Sequence, residues 1–155
     1  EDRRVTVCAR EKKSETGKTS AALELSDGTL ITGKKSDLLA HTSAMVLNAL
    51  KYLGGIHNDI LLISPVIIEP IQKMKTELLH SESSRLSVKE VLMALSICAA
   101  TNPMDQHALA QVPKLRGTQV HSTVILSIGD DKALKNLGMN ITCDPEYDSE
   151  KLYHY

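Results

Sequence analysis

The spacing of apolar and polar positions divides the chain into short elements of two kinds. Between Arg4 and Lys13, Val5, Cys8 and Ala9 recur at helical spacing, and Gly17 follows where a helix would stop in the left-handed conformation. Next, AALELS sets Ala21, Leu23 and Leu25 against Ala22, Glu24 and Ser26, and after Asp27-Gly28 the run TLIT resumes with β-branched residues. Two such runs joined by Asp-Gly predict a β-hairpin, because the primed hairpin turns need positive φ. A polar elbow, KKSD, then leads to a helix with Leu39, Val46, Leu47, Leu50 and Leu53 on one stripe and Gly54-Gly55 as its stop. Ser36 or Asp37 suits its N-cap, and so does Thr42 or Ser43.

DILLIS, residues 59–64, is an apolar run without alternation, as expected of a central strand buried on both faces. Ser64-Pro65 reads as N-cap and first helical residue, although Pro70 offers a later start for the regular helix. Ser87 with Glu90 forms a capping box, and Val88, Val91, Leu92, Leu95 and Cys98 or Ala99 continue as a clear helical stripe. Asn102-Pro103 breaks that helix, and MDQHALAQVPKL adds a turn or two before Gly117. TQVHSTVILS predicts a second buried strand, DDKALKNLG a short helix stopped by Gly138, and NITC a last strand. The final DPEYDSEKLYHY is polar and tyrosine-bearing, in the manner of a docking tail.

The hairpin matters because its letters also spell something else. Gly28 and Gly33-Lys34 satisfy the G-x-x-x-x-G-K core of a phosphate-binding loop, with Lys35 where that motif wants Ser or Thr. Such a loop needs a strand ending before the first glycine and a helix opening at the Gly-Lys, so that backbone N–H groups encircle a phosphate. Here the residues between the glycines have strand character, which would hold the two glycines on the order of 16 Å apart. The hairpin is the better reading.

Composition narrows the class. A chain of 155 residues fits one domain with a sizeable core. With 18 basic and 19 acidic side chains the net charge is -1, so no strong field draws in nucleic acid or an anionic membrane. Four tyrosines and no Phe or Trp leave little for stacking bases. Three cysteines, Cys8, Cys98 and Cys143, match no metal or C-x-x-C spacing and suggest reduced thiols in a cytoplasmic protein. No segment has the apolar length of a membrane span or a signal peptide. The first residue is Glu rather than Met, as in a fragment of something longer.

Strands separated by helices imply parallel crossovers. The expected fold is a three-layer α/β/α arrangement around a mixed, mostly parallel five-stranded sheet with one antiparallel hairpin. This order of elements resembles the cytidine deaminase-like fold. At the level of residues, ELSDGTLITGK, LNALKYL, ISPVIIEPIQKMKTE, EVLMALSICAATNP, PKLRG, VHSTVILS and KLYH resemble the C-terminal domain of a bacterial family, domain of unknown function family 1846. That resemblance spans nearly the whole chain. It implies a large missing N-terminal part and carries no assigned activity. The deaminase likeness implies zinc chemistry only if the metal motif is present. The helix starts at Ser36 to Ser43 and at Ser64 to Ile68 contain neither Cys nor an H-x-E, and Cys98 lies inside a core stripe. We therefore expect no metal and no cofactor.

On this topology the crevice at the strand ends would be lined by Gly33, Lys34, Lys35, Ser36 and Asp37, by Ser64, and by Ser127 to Asp130. Lys34, Lys35, Ser36 and Ser64 are the candidate anion-binding residues, since lysines beside helix N–H groups favour a phosphate or carboxylate. Solvated turns and ordinary caps are the plainer account of the same residues. Asp37, His41, Thr42 and Ser43 can be drawn as a catalytic set, but no nucleophile elbow accompanies them. His121, inside an apolar strand, is either a hydrogen-bonded core residue or part of a site. His57, His80, His107 and His154 are scattered. The favoured function is a non-catalytic assembly or docking module of a larger protein, self-associating or held by the missing N-terminal domain; the alternative is a metal-free anion or nucleotide site contributing to an enzyme and taking a phosphate-bearing small molecule.

Overall fold

A computed structural model describes residues 3–148. Its elements run α1 (Arg4–Thr16), β1 (Ser20–Glu24), β2 (Leu30–Lys34), α2 (His41–Leu53), α3 (Pro65–Lys73), α4 (Val88–Ala99), α5 (Pro103–Leu109), β3 (Gln119–Ser122), α6 (Ile128–Asn136) and β4 (Asn140–Cys143). A π-helical turn, Met74–Leu78, extends α3, and a 3-10 turn, Val112–Leu115, follows α5. The strands form one sheet in the order β2-β1-β3-β4, with β1 antiparallel to both its neighbours and β3 parallel to β4.

The alternation within β1 decides the layers. Ala22 packs with Val5 and Ala9 of α1 on one face, while Ala21, Leu23 and Leu25 join the larger core on the other. That core takes Met45, Val46, Ala49 and Leu50 from α2 and Val88, Val91 and Leu95 from α4. Gly17 ends α1 with φ 68, donating its N–H to the Lys13 carbonyl, as the sequence leads one to expect. The Ser87–Glu90 capping box opens α4 with both reciprocal bonds formed. Ser87→Ala is expected to cost about 1 kcal/mol, read from a urea unfolding midpoint.

Several expectations are corrected. Four strands form among the described residues rather than five, and only one of the three pairings is parallel. The missing strand is DILLIS: Leu62 and Ile63 plug the core from a loop, whereas Leu61 is 68% exposed. No ladder satisfies that loop. Lys51 does so instead, its buried ammonium donating to the carbonyls of Asn58 and Ile60 at 2.9 and 3.3 Å. Burial lowers the Lys51 pKa, with Asp59 opposing. An unalternated apolar run signals burial, not strand, and here the burial serves the helical layer.

The hairpin is present, but its turn is a three-residue loop. Leu25 and Thr29 close it, Gly28 N–H bonds the Leu25 carbonyl at 2.9 Å, and Gly28 alone has positive φ, at 87°. α2 begins at His41, with Ala40 at its N-cap, so none of the four polar residues considered for that role caps it. Ser36 instead holds the preceding loop, accepting from Leu38 and Leu39 N–H. α3 starts at Pro65 on the Ser64 cap and carries Pro70 in its interior, followed by the π turn. Asn102 caps α5, accepting from Met104 and Asp105 N–H. Residues 149–155 of the suspected docking tail, with Lys151 and His154, lie outside the described residues.

Candidate functional site

A cleft of about 380 Å³ opens where α2, α4 and α6 begin, beside the chain that leaves β2 and β3. Each helix reaches it for a local reason. Ser87 and Ser127 cap α4 and α6, and both line the cleft. α2 enters through Ala40 with no side-chain cap, and Ala40 and His41 line the same space. The buried Asp130 carboxylate ties the three starts together. It accepts from Thr42 Oγ1 of α2 and from the Val88 N–H of α4, both at 3.0 Å, while the Asp130 N–H bonds Ser127 Oγ at 3.2 Å.

Charged side chains rim the cleft as partners. Lys35 Nζ meets Asp148 Oδ1 at 2.6 Å, and Lys75 Nζ meets Glu90 Oε1 at 2.7 Å. Burial pushes the Glu90 carboxyl up, but hydrogen bonds from Lys75 and the Ser87 N–H outweigh it and hold the pKa below the usual value. Arg85 lines the cleft too, its Nε donating to the Ser36 carbonyl. Val124, Ile125 and Leu126 supply an apolar wall. The result is a small concave site with an apolar side and a few placed polar groups, the usual make-up of a ligand pocket.

His41 is enclosed in this wall as well. Its ring is buried, with Nε2 2.8 Å from Ser122 Oγ at the end of β3. Burial drives its pKa down from 6.5 to about 4; Asp148 opposes this and Lys35 adds to it. At neutral pH it is a neutral acceptor rather than a cation.

Of the residues singled out from sequence, Lys35, His41, Ser127 and Asp130 line the cleft. Ser36 and Asp37 line an adjoining open groove that shares Lys35 and Arg85 with it. Lys34 is exposed at the end of β2, and Ser64 is exposed at its cap on α3. Gly33 is buried under α2. Thr42 and Ser43 are fully buried, bonded to Asp130 and to the Leu86 carbonyl. His121 is on the other face of the sheet, under α1: Nδ1 bonds Thr142 Oγ1 at 2.7 Å and Nε2 bonds Asp144 Oδ1 at 3.0 Å. Arg10 of α1 closes that network on Asp144 at 2.7 Å and, ahead of His121, holds its carboxyl below the usual range. Sequence reasoning missed Lys75, Arg85 and Asp148, which have no pattern around them. The three cysteines are free and partly buried, and burial raises each thiol. No three His, Cys, Asp or Glu side chains lie together as a metal set among the described residues, and no helix among them is long and apolar enough to cross a membrane.

Fold and cleft together define an α/β chain with a ligand-sized site at converging helix starts. The chain belongs to the family described as domain of unknown function DUF1846, C-terminal, whose model matches residues 1–153. Among its relatives, the UPF0371 proteins of Clostridium botulinum strains Langeland and Okra are each 50% identical to it over 163 residues, covering 99% of this chain. The protein of the same name in strain Alaska E43 is 49% identical over 161 residues. The chain spans 32% of the length of these relatives.

Proposed function

We propose that this chain is the ligand-binding domain of a longer protein, and that its cleft takes a small phosphate-bearing anion. The observation that carries the reading is the start of α2, which meets the cleft without a side-chain cap while Lys35, Lys75 and Arg85 stand around it. Helix N-terminal N–H groups and nearby cations are the standard means of holding a phosphate. Asp148 and Glu90 orient two of the cations and keep the cleft near neutrality, so recognition comes from placed donors rather than from net charge. The likeness to the deaminase-like fold belongs to this same reading, since His41 occupies the start of the second helix, with Ser43 where a deaminase would need its Glu.

An NMR titration with inorganic phosphate and sugar phosphates tests the proposal. The amides of Ala40 and His41, which line the cleft, are expected to shift, and Lys35→Ala is expected to weaken binding on the order of tenfold, as loss of a charge-assisted hydrogen bond does. Shifts confined to other surfaces, or an unchanged affinity in Lys35→Ala, would count against it.

A second reading, that of a docking module, draws on α3 and its π turn. Val66, Leu78 and Leu79 are exposed there, and Ile68 is the one buried residue of α3. The occupant on this reading is the remainder of the longer family protein. Val66→Lys with Leu78→Lys is then expected to abolish binding to the other two thirds of a Clostridium botulinum relative supplied in trans, measured by calorimetry. Retained binding would remove α3 from the interface.

A further inference from the structure

The anion reading above leaves open what else the ligand carries, and His41 bears on that. Ser122 has one hydroxyl proton, which it gives to the Val124 carbonyl at 2.7 Å, while accepting from the Val124 N–H at 3.2 Å. The 2.8 Å contact with His41 is therefore Nε2–H donating to Ser122 Oγ. That tautomer leaves Nδ1 as a bare lone pair, with no donor to it among the described residues.

Nδ1 is nonetheless not sealed in the core. Gln111 Oε1 is the one fully buried side-chain polar atom without a partner among the described residues. Nδ1, also without one, must then touch open space, and the open space along the ring is the cleft that it lines. His41 is only 6% exposed and is among the residues that line the cleft. An acceptor of fixed tautomer thus sits on the first residue of the uncapped helix, beside the cations that rim the cleft. A phosphate ester in its dianionic form has no O–H on the phosphate; without a further donor it would occupy the cations and leave Nδ1 unsatisfied.

We propose that the cleft recognises a phosphate ester that also presents an O–H or N–H donor to His41 Nδ1, that is, a hydroxylated or amino-bearing phosphate of the sugar-phosphate class. A volume of about 380 Å³ stands near the small end of ligand pockets and suits such a molecule better than a dinucleotide. The apolar wall of Val124, Ile125 and Leu126 would cover the carbon skeleton between the two polar ends.

The test compares glycerol 3-phosphate with propyl phosphate, which lacks the hydroxyls, and with inorganic phosphate, while following the ¹⁵N resonance of His41 Nδ1. Glycerol 3-phosphate is expected to bind on the order of fivefold more tightly than propyl phosphate, the worth of one net hydrogen bond. Of the two esters, compared at about pH 8 where both are dianions, it alone should move the Nδ1 resonance, and His41→Phe should abolish the difference between them. Equal binding of both esters with Nδ1 unmoved would overturn the role of His41 and leave the anion site standing. No binding of any of the three to the folded protein would overturn both. Should His41→Phe not fold, the Nδ1 resonance of the wild-type protein decides the matter alone.

Discussion

Gly33→Ala is expected to destabilise the protein by about 3 kcal/mol or more, a large loss for one methyl group. A Cβ on Gly33 would lie 2.2 Å from Met45 N and 2.4 Å from His41 O, both backbone atoms of α2. Neither a side-chain rotation nor a small shift relieves such contacts, so the helix would have to lift off β2. Asn48, which donates to the Thr32 carbonyl at 2.9 Å, would be pulled away with it. Gly28→Ala is the control: its Cβ meets nothing closer than 3.7 Å, and its cost is the positive φ of 87°, about 1 kcal/mol. Urea unfolding of the two variants should differ accordingly. Gly33→Ala within about 0.5 kcal/mol of the parent would mean that α2 does not lie on β2 as described. The lift would also carry His41 out of place, so a folded but weakened Gly33→Ala should lose ligand binding.

The second large effect is a loss of stability between neutral pH and pH 4, set by His41. The folded protein holds this imidazole neutral down to about pH 4, whereas the unfolded chain protonates it near 6.5. As pH falls through that window the unfolded state binds a proton that the folded state refuses, and stability drops. The full window corresponds to about 3 kcal/mol, at roughly 1.4 kcal/mol per pH unit. Above pH 6.5 both states are neutral and the contribution is flat. Asp144 and Glu90, whose carboxyl pKa values are depressed, act in the same direction but only at lower pH, as the medium approaches and passes below their usual values of 3.8 and 4.5. Urea midpoints for the parent at pH 7 and pH 4.5 should therefore separate, and those of His41→Gln should converge. An equal slope in the variant would show that the ring is not buried neutral.

These two effects meet at a motif whose letters promise a different chemistry. In a phosphate loop Gly33 would make room for an oxyanion, but here it makes room for a helix. The hairpin context was legible because strand character between the glycines is a property of neighbouring residues. The same holds for the Ser87–Glu90 box and the Gly17 stop, each of which depends on bonds within a few residues. DILLIS failed that test, since burial of an apolar run depends on what lies beside it, and what lies beside it is the helical layer and the ammonium of Lys51. The cap of α2 failed too: Thr42 and Ser43 have the right chemistry for a cap, yet Asp130, 88 residues from Thr42, and the Leu86 carbonyl claim them.

The candidate site divides along the same line. Lys35 could be named from sequence because it follows a strand, where ligand sites of α/β sheets collect. Lys75, Arg85 and Asp148 come from a π turn, a loop and the stretch after β4, and only packing brings them to one cleft. His121 and His41 exchange roles in consequence. The strand histidine is closed in by Thr142, Asp144 and Arg10, while the helix-start histidine keeps one nitrogen open. Sequence alone determined the local elements and the family, because caps, stops, alternation and shared phrases are written in consecutive residues. The strand count, the start of α2 and the members of the cleft were decided by tertiary structure, because each depends on which distant group reaches a buried polar atom first.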